Sequence, residues 1–175
     1  MGLLDRFRRE RPPAAALALL EPGERVTAWG RTAEDEVIIT TPLGLWAPSA
    51  DGMVRLGWHE IHKARWDSGV LTLVPGVEAE AGVREDAPPR RYLLAEPGNL
   101  PAEIRTRVTR SVAFTAHHPL QSGGVRIVAR RVPGRDGLDW VVRYDPGTVR
   151  GPEDERVVAE LIAAAQAAAS PPAGL

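Results

Sequence analysis

From Arg25 to Ala95 apolar and polar residues alternate over short stretches separated by turn residues, a period near two rather than the three-to-four spacing of a helix. The pattern predicts seven strands: Arg25 to Arg31, Glu36 to Thr41, Gly44 to Ala47, Met53 to Gly57, Ile61 to Trp66, Val70 to Val74 and Arg90 to Ala95. Each is rich in β-branched or aromatic residues, which suit a pleated, half-buried surface. Pro42-Leu43-Gly44, Ala50-Asp51-Gly52 and Asp67-Ser68-Gly69 supply residues that pre-set a turn or accept positive φ, so the strands should meander antiparallel. Val54 and Leu56 alternate with Met53 and Arg55, and Lys63 and Arg65 with Ala64 and Trp66, giving one buried and one wet face. Between the sixth and seventh strands, Gly76 to Pro89 carries Glu78, Glu80, Glu85, Asp86, Pro88 and Pro89 and predicts a polar surface loop.

The period then changes. Pro101 suits a first helical position, and Ile104, Val108, Val112 and Thr115 form one stripe, predicting a helix that ends before Pro119. A hairpin follows, Val125 to Val132 and Asp139 to Tyr144, joined through Pro133-Gly134-Arg135-Asp136-Gly137. The last helix runs from about Pro152 to Ala168. Glu153, Asp154 and Glu155 complement its dipole, and Val157, Val158, Leu161, Ile162, Ala164, Ala165 and Ala168 form an apolar face expected to be buried. The expected class is α+β: residues 1–24 as an N-terminal helical segment, 25–118 as a seven-stranded antiparallel barrel capped by a helix, 119–169 as a β-β-α extension, and 170–175 as a disordered tail. The extension is too small to stand alone and should pack on the barrel or on another subunit.

Of 175 residues, 43% are hydrophobic and 26% charged, which places the chain among globular proteins rather than disordered ones. A net charge of -1 leaves no cationic body for general nucleic-acid binding, so any basic surface is local. The absence of cysteine excludes disulfides, thiolate metal sites and cysteine nucleophiles, and fits a reducing, cytoplasmic location. The apolar run Ala14 to Leu20 is far short of the ~20 residues that span a bilayer. Leu3, Leu4 and Phe7, flanked by Arg6, Arg8, Arg9 and Arg11, form a basic amphipathic segment that suits a partner or, peripherally at most, a membrane surface.

Seven short antiparallel strands followed by one helix resemble the pleckstrin-homology-like (PH-like) barrel in element order, and Trp58-His59-Glu60-Ile61-His62-Lys63-Ala64-Arg65-Trp66, then Val70-Leu71-Thr72-Leu73, resembles the central hairpin of bacterial PH-like proteins. The resemblance covers roughly Arg25 to Ala116. Together with Leu20-Glu21-Pro22-Gly23-Glu24-Arg25-Val26, and with Lys63 the single lysine among 22 basic residues, the stretch is also similar to a set of short proteins from high-GC actinobacteria. PH-like barrels are mostly non-catalytic platforms for proteins, peptides or lipid headgroups. In phosphoinositide-binding members a basic loop joins the first two strands; here that turn is Ala33-Glu34-Asp35-Glu36, whose carboxylates would repel a phosphorylated headgroup.

The chemistry-bearing residues point the same way. His59 and His62 lack the helical spacing of a zinc pair, and His117-His118 reads as a helix-end cap. No serine sits in a nucleophile elbow, and no glycine-rich phosphate cradle is present. The expectation is a protein that is not an enzyme and uses no cofactor or metal. Of the five tryptophans most should be core, while Trp46 and Trp58 are candidate anchors for a protein partner. Arg126 and Arg130 share strand parity and could make a basic stripe in a segment where six arginines face three aspartates. The leading expectation is a scaffold that binds another protein; the alternative is an accessory protein that touches nucleic acid through the hairpin arginines.

Overall fold

The computed structural model describes residues 11–169. Leu3, Leu4 and Phe7 lie outside them, as does the tail from 170. The elements are α1 (Ala14–Leu17), β1 (Ala28–Thr32), β2 (Val37–Thr40), β3 (Gly44–Ser49), β4 (Gly52–Gly57), a 3-10 turn (Trp58–Glu60), β5 (Ile61–Asp67), β6 (Val70–Glu80), β7 (Val83–Asp86), β8 (Arg90–Glu96), α2 (Leu100–Ser111), β9 (Val112–Leu120), β10 (Gly123–Arg131), β11 (Leu138–Tyr144) and α3 (Pro152–Ala169). The chain is α+β, most of it in one open mixed sheet. Its strand order is β4-β3-β2-β1-β8-β6-β7-β11-β10-β9, with β5 on the remaining edge of β6. All pairings are antiparallel except β7 with β11, which run parallel.

The expected seven strands are therefore part of a larger, open sheet of eleven. The join is β6. Its first half, Val70 to Pro75, pairs with β5 and β8, and its second half, Gly76 to Glu80, pairs with β7. The stretch expected as a polar loop is a hairpin: Val77 pairs with Glu85 and Glu78 with Arg84. Two valines among many acids hid a two-residue alternation that is strand-like.

Residues 112–120, most of them expected to continue the helix, are a strand. The helix stops at Ser111, and Val112, Thr115, His117 and His118 stand on β9. β9 occupies the end of the strand order, where Pro119, which has no N–H to give a ladder, is tolerated. It pairs with β10 along its length, so the C-terminal unit is β-β-β-α, and β9 crosses the 118/119 boundary. The histidines consequently cap no helix.

Two apolar clusters hold the sheet. One collects Ile38, Leu45, Trp58, Ile61, Leu71, Leu73, Leu100 and Ile104, so α2 is fastened to the strands by its Leu100 and Ile104 side. In the other, Val158 of α3 packs on Val125 and Val142, with Ile162 at the margin. The broad apolar face expected of α3 is covered only in part: Val158 is fully buried, Val157, Leu161, Ile162 and Ala165 are half-buried, and Ala164 and Ala168 stay exposed. The fully buried Glu24 carboxylate ties the entry of the chain to β3 and β4, accepting hydrogen bonds from the Thr41 hydroxyl at 2.8 Å and the Trp46 indole at 3.1 Å. Burial pushes this carboxyl up, but the Glu21 amide, Thr41, Trp46 and Arg55 outweigh it and hold it below the usual range.

Candidate functional site

β5 hydrogen-bonds to β6 along one edge, and no strand among the described residues occupies its other edge. α2 packs against β5, its Ile104 in one cluster with Ile61 and Leu71. It is placed there by the turn Pro97-Gly98-Asn99, in which Gly98 takes φ 50, a left-handed conformation that costs glycine little. Leu100 and Ile104 then fix the helix in the core. Between strand and helix remains a groove of about 820 Å³.

Its walls are Ala64 and Trp66 of β5, Leu71 of β6, Pro97 of the turn, and Pro101 and Ile104 of α2. Trp66 is 40% exposed, the only tryptophan among the large exposed apolar side chains of the described residues. The charged residues of the lining are Arg65 and Arg105; no carboxylate contributes. Arg65 contacts Asp67 at 3.1 Å. Arg105 stands exposed on α2 without an ion pair among the described residues. An open strand edge beside an aromatic ring and two cations can take an extended acidic chain; it presents no constellation of nucleophile and base.

The structure distributes the sequence-derived candidates differently. Trp58 is 3% exposed, inside the core, its indole N–H donated to the Thr41 carbonyl at 3.0 Å, which removes it as a surface anchor. Trp46 is half-buried; its N–H is held by Glu24, and the Arg55 guanidinium lies 5.8 Å from the ring centroid. Arg130 is 5% exposed and donates to the Ser111 hydroxyl at 2.8 Å. A register shift between Ala129 and Arg130 opposite β9 accompanies this burial, so the expected stripe of Arg126 and Arg130 does not form on the surface. Arg126 is exposed. The exposed ring is Trp66, expected in the core; the one sequence signal for it is its place at the end of a strand, just before a turn.

Two imidazoles near the start of β5 are withdrawn from solvent, His62 almost wholly and His59 in part. His62 keeps 3% of its side-chain surface, faces Gly76 so closely that a β-carbon there would overlap the ring, and meets Asp86 at 2.8 Å through Nδ1. Because a carboxylate only accepts, Nδ1 carries the proton. His59 Nδ1 is buried with no hydrogen-bond partner. Burial is the main cause that holds both histidines below the ordinary value, despite the attraction of Asp86 for His62 and of Glu60 for His59. Unfolded, each takes a proton as pH drops through about 6.5, while the folded form resists, so acidification favours unfolding. Thermal melts should show Tm falling between pH 7.5 and 5.5, with a shallower fall in the His59→Gln and His62→Gln variants; an unchanged slope in both would remove this cause.

Comparison of the chain with protein-family models, with curated proteins and with solved structures finds no match. No helix among the described residues is long and apolar enough to cross a membrane.

Proposed function

We propose that the protein is a non-enzymatic interaction module, and that the groove between β5 and α2 takes an extended acidic segment of a partner protein as an added strand, with an apolar side chain of that segment on Trp66. The observation that carries this reading is the open edge of β5 beside the exposed Trp66. Main-chain hydrogen bonds to the edge would supply affinity, and the pocket under Trp66 would choose the side chain. Arg105, without an ion pair among the described residues, and a lining with no carboxylate select for acidic sequence.

The same seven strands support a PH-like module. β1 to β6 and β8 pair antiparallel in the order β4-β3-β2-β1-β8-β6-β5, and α2 follows β8 directly. On this reading β7 and the C-terminal β-β-β-α unit are additions to that module. The nucleic-acid alternative is weakened, because Arg130 is withdrawn to the interior.

The test is an array of acidic peptides, each with one aromatic or aliphatic residue, probed with the full chain. Peptides that bind should lose about 2 kcal/mol, roughly 30-fold in Kd, with Trp66→Ala, the size of an interface hot spot. Arg105→Glu should weaken them further, and amide signals of β5 should shift on titration. An array without ligands, or ligands indifferent to both substitutions, sinks the proposal.

A further inference from the structure

On the far side of β6 the sheet assembles a second feature. β10 and β11 place Arg126 directly opposite Arg143. β11 next pairs in parallel with β7 at Val142 and Val83, so Arg84, one residue on from Val83, continues the same row. Side chains of paired positions share a face. Three guanidinium groups on adjacent strands therefore project to one side, opposite the side on which Val125 and Val142 meet α3. They line a cavity of about 800 Å³, which Lys63 of β5 and Arg150 complete.

The carboxylates of this cavity are Glu85, Asp86 and Asp145, three acids against five cations. Two of the acids are already engaged. Asp86 meets His62 and Lys63 at 2.8 Å each and Arg143 at 2.5 Å. Asp145 meets His117 at 2.7 Å. Arg150 pairs with Glu80 and lies 4.7 Å from the Tyr144 ring centroid. Arg84 and Arg126 make no hydrogen bond and no ion pair among the described residues. Like charges set directly opposite across a ladder destabilise it, and here Arg126 faces Arg143 in that way.

From this we infer a binding site for a compact phosphate-bearing anion, a phosphomonoester or pyrophosphate group, held by Arg84 and Arg126 with Arg143 and Lys63 beside them. Guanidinium forks match phosphate oxygens in pairs, and converging forks suit a tetrahedral oxyanion with several acceptor oxygens better than a single carboxylate. A long polyanion is disfavoured: Glu85 and Asp145 lie in the same lining, and the whole chain carries a net charge of -1. The site shares no lining residue with the β5–α2 groove.

Pyrophosphate is the probe, titrated into the full chain at low ionic strength by calorimetry, with a single-stranded oligonucleotide as the second ligand. One equivalent of pyrophosphate should bind, weaken about tenfold in Arg84→Gln and in Arg126→Gln, and escape detection in the double variant. The oligonucleotide should bind more weakly than pyrophosphate. Without ligand, Arg126→Gln should melt at or above the wild-type temperature, since a repulsion is relieved, and pyrophosphate should raise the Tm of the wild type most, of the single variants less and of the double variant not at all. No pyrophosphate binding, binding equal in all variants, or ligand-free variants that melt lower would overturn the site. Tighter binding of the oligonucleotide, lost in the same variants, would overturn the compact ligand in favour of a nucleic-acid surface.

Discussion

Truncation of Trp58 to alanine is expected to lower folding stability by about 3–5 kcal/mol, the cost of deleting a fully packed indole. The residue is 3% exposed and belongs to the cluster that joins Leu45, Ile61 and Leu73 to Ile104 of α2. It opens the 3-10 turn that connects β4 to β5, a turn closed by the Gly57 amide donating to the Glu60 carboxylate at 2.6 Å. The substitution would leave a cavity where strands and helix meet, and would leave the Thr41 carbonyl without its indole donor. For a chain of this size a loss of that order corresponds to a fall in Tm of about 6–20 °C. Trp58→Phe separates the two causes. It keeps most of the buried ring but not the N–H, and should cost about 1–3 kcal/mol through the orphaned carbonyl. Urea unfolding of the three proteins checks both figures, and an alanine variant within 1 kcal/mol of wild type would show that the core does not depend on this ring.

A second pair of substitutions should move stability in opposite directions. Arg130 keeps 5% of its surface, and its one hydrogen bond to a described residue goes to a neutral hydroxyl, Ser111, at 2.8 Å. Burial first, and the nearby Arg143 second, make its charged form harder to keep and hold its pKa below the ordinary value. A buried cation with so little compensation is an expensive way to fill space. Arg130→Met, close in volume and without a charge, is expected to be neutral or to stabilise by about 1–3 kcal/mol. Ser111→Ala leaves the guanidinium buried without that acceptor and should destabilise by about 1.5–3 kcal/mol. In the Arg130→Met background the serine substitution should cost much less, since there is no longer a charge to orphan. Denaturation midpoints at constant m-value give the comparison. Equal losses from Arg130→Met and Ser111→Ala would mean that the arginine is held by more than its hydroxyl partner.

These two sites also mark how far sequence reading reaches. Trp58 sits in the polar context Trp58-His59-Glu60, which by itself suggests a surface ring. The 3-10 turn rotates it inward beneath α2, a consequence of where β4 and β5 are forced to meet. Arg130 shares strand parity with Arg126, and parity alone predicts a common face. A register shift beside it and the last turn of α2 above it take it out of solvent. Trp66 lies just ahead of the Asp67-Ser68-Gly69 turn; nothing in its own strand tells whether a neighbour will cover it.

What the sequence alone determined is local. Turn residues at Asp51-Gly52 and Ser68-Gly69 delimit β3 to β6, Pro101 starts α2, and three acids open α3, because backbone geometry and capping act within a few residues. The α+β class follows from those elements. Only tertiary structure decided that 76–89 pairs as a hairpin and that 112–120 leaves the helix for β9, because a strand is stabilised by a partner distant in sequence. The same holds for both grooves. One lies beside β5, which has a single strand neighbour among the described residues, and the other exists because β7, β10 and β11 bring Arg84, Arg126 and Arg143 into one row. Pairing across the sheet joins residues that no local pattern connects.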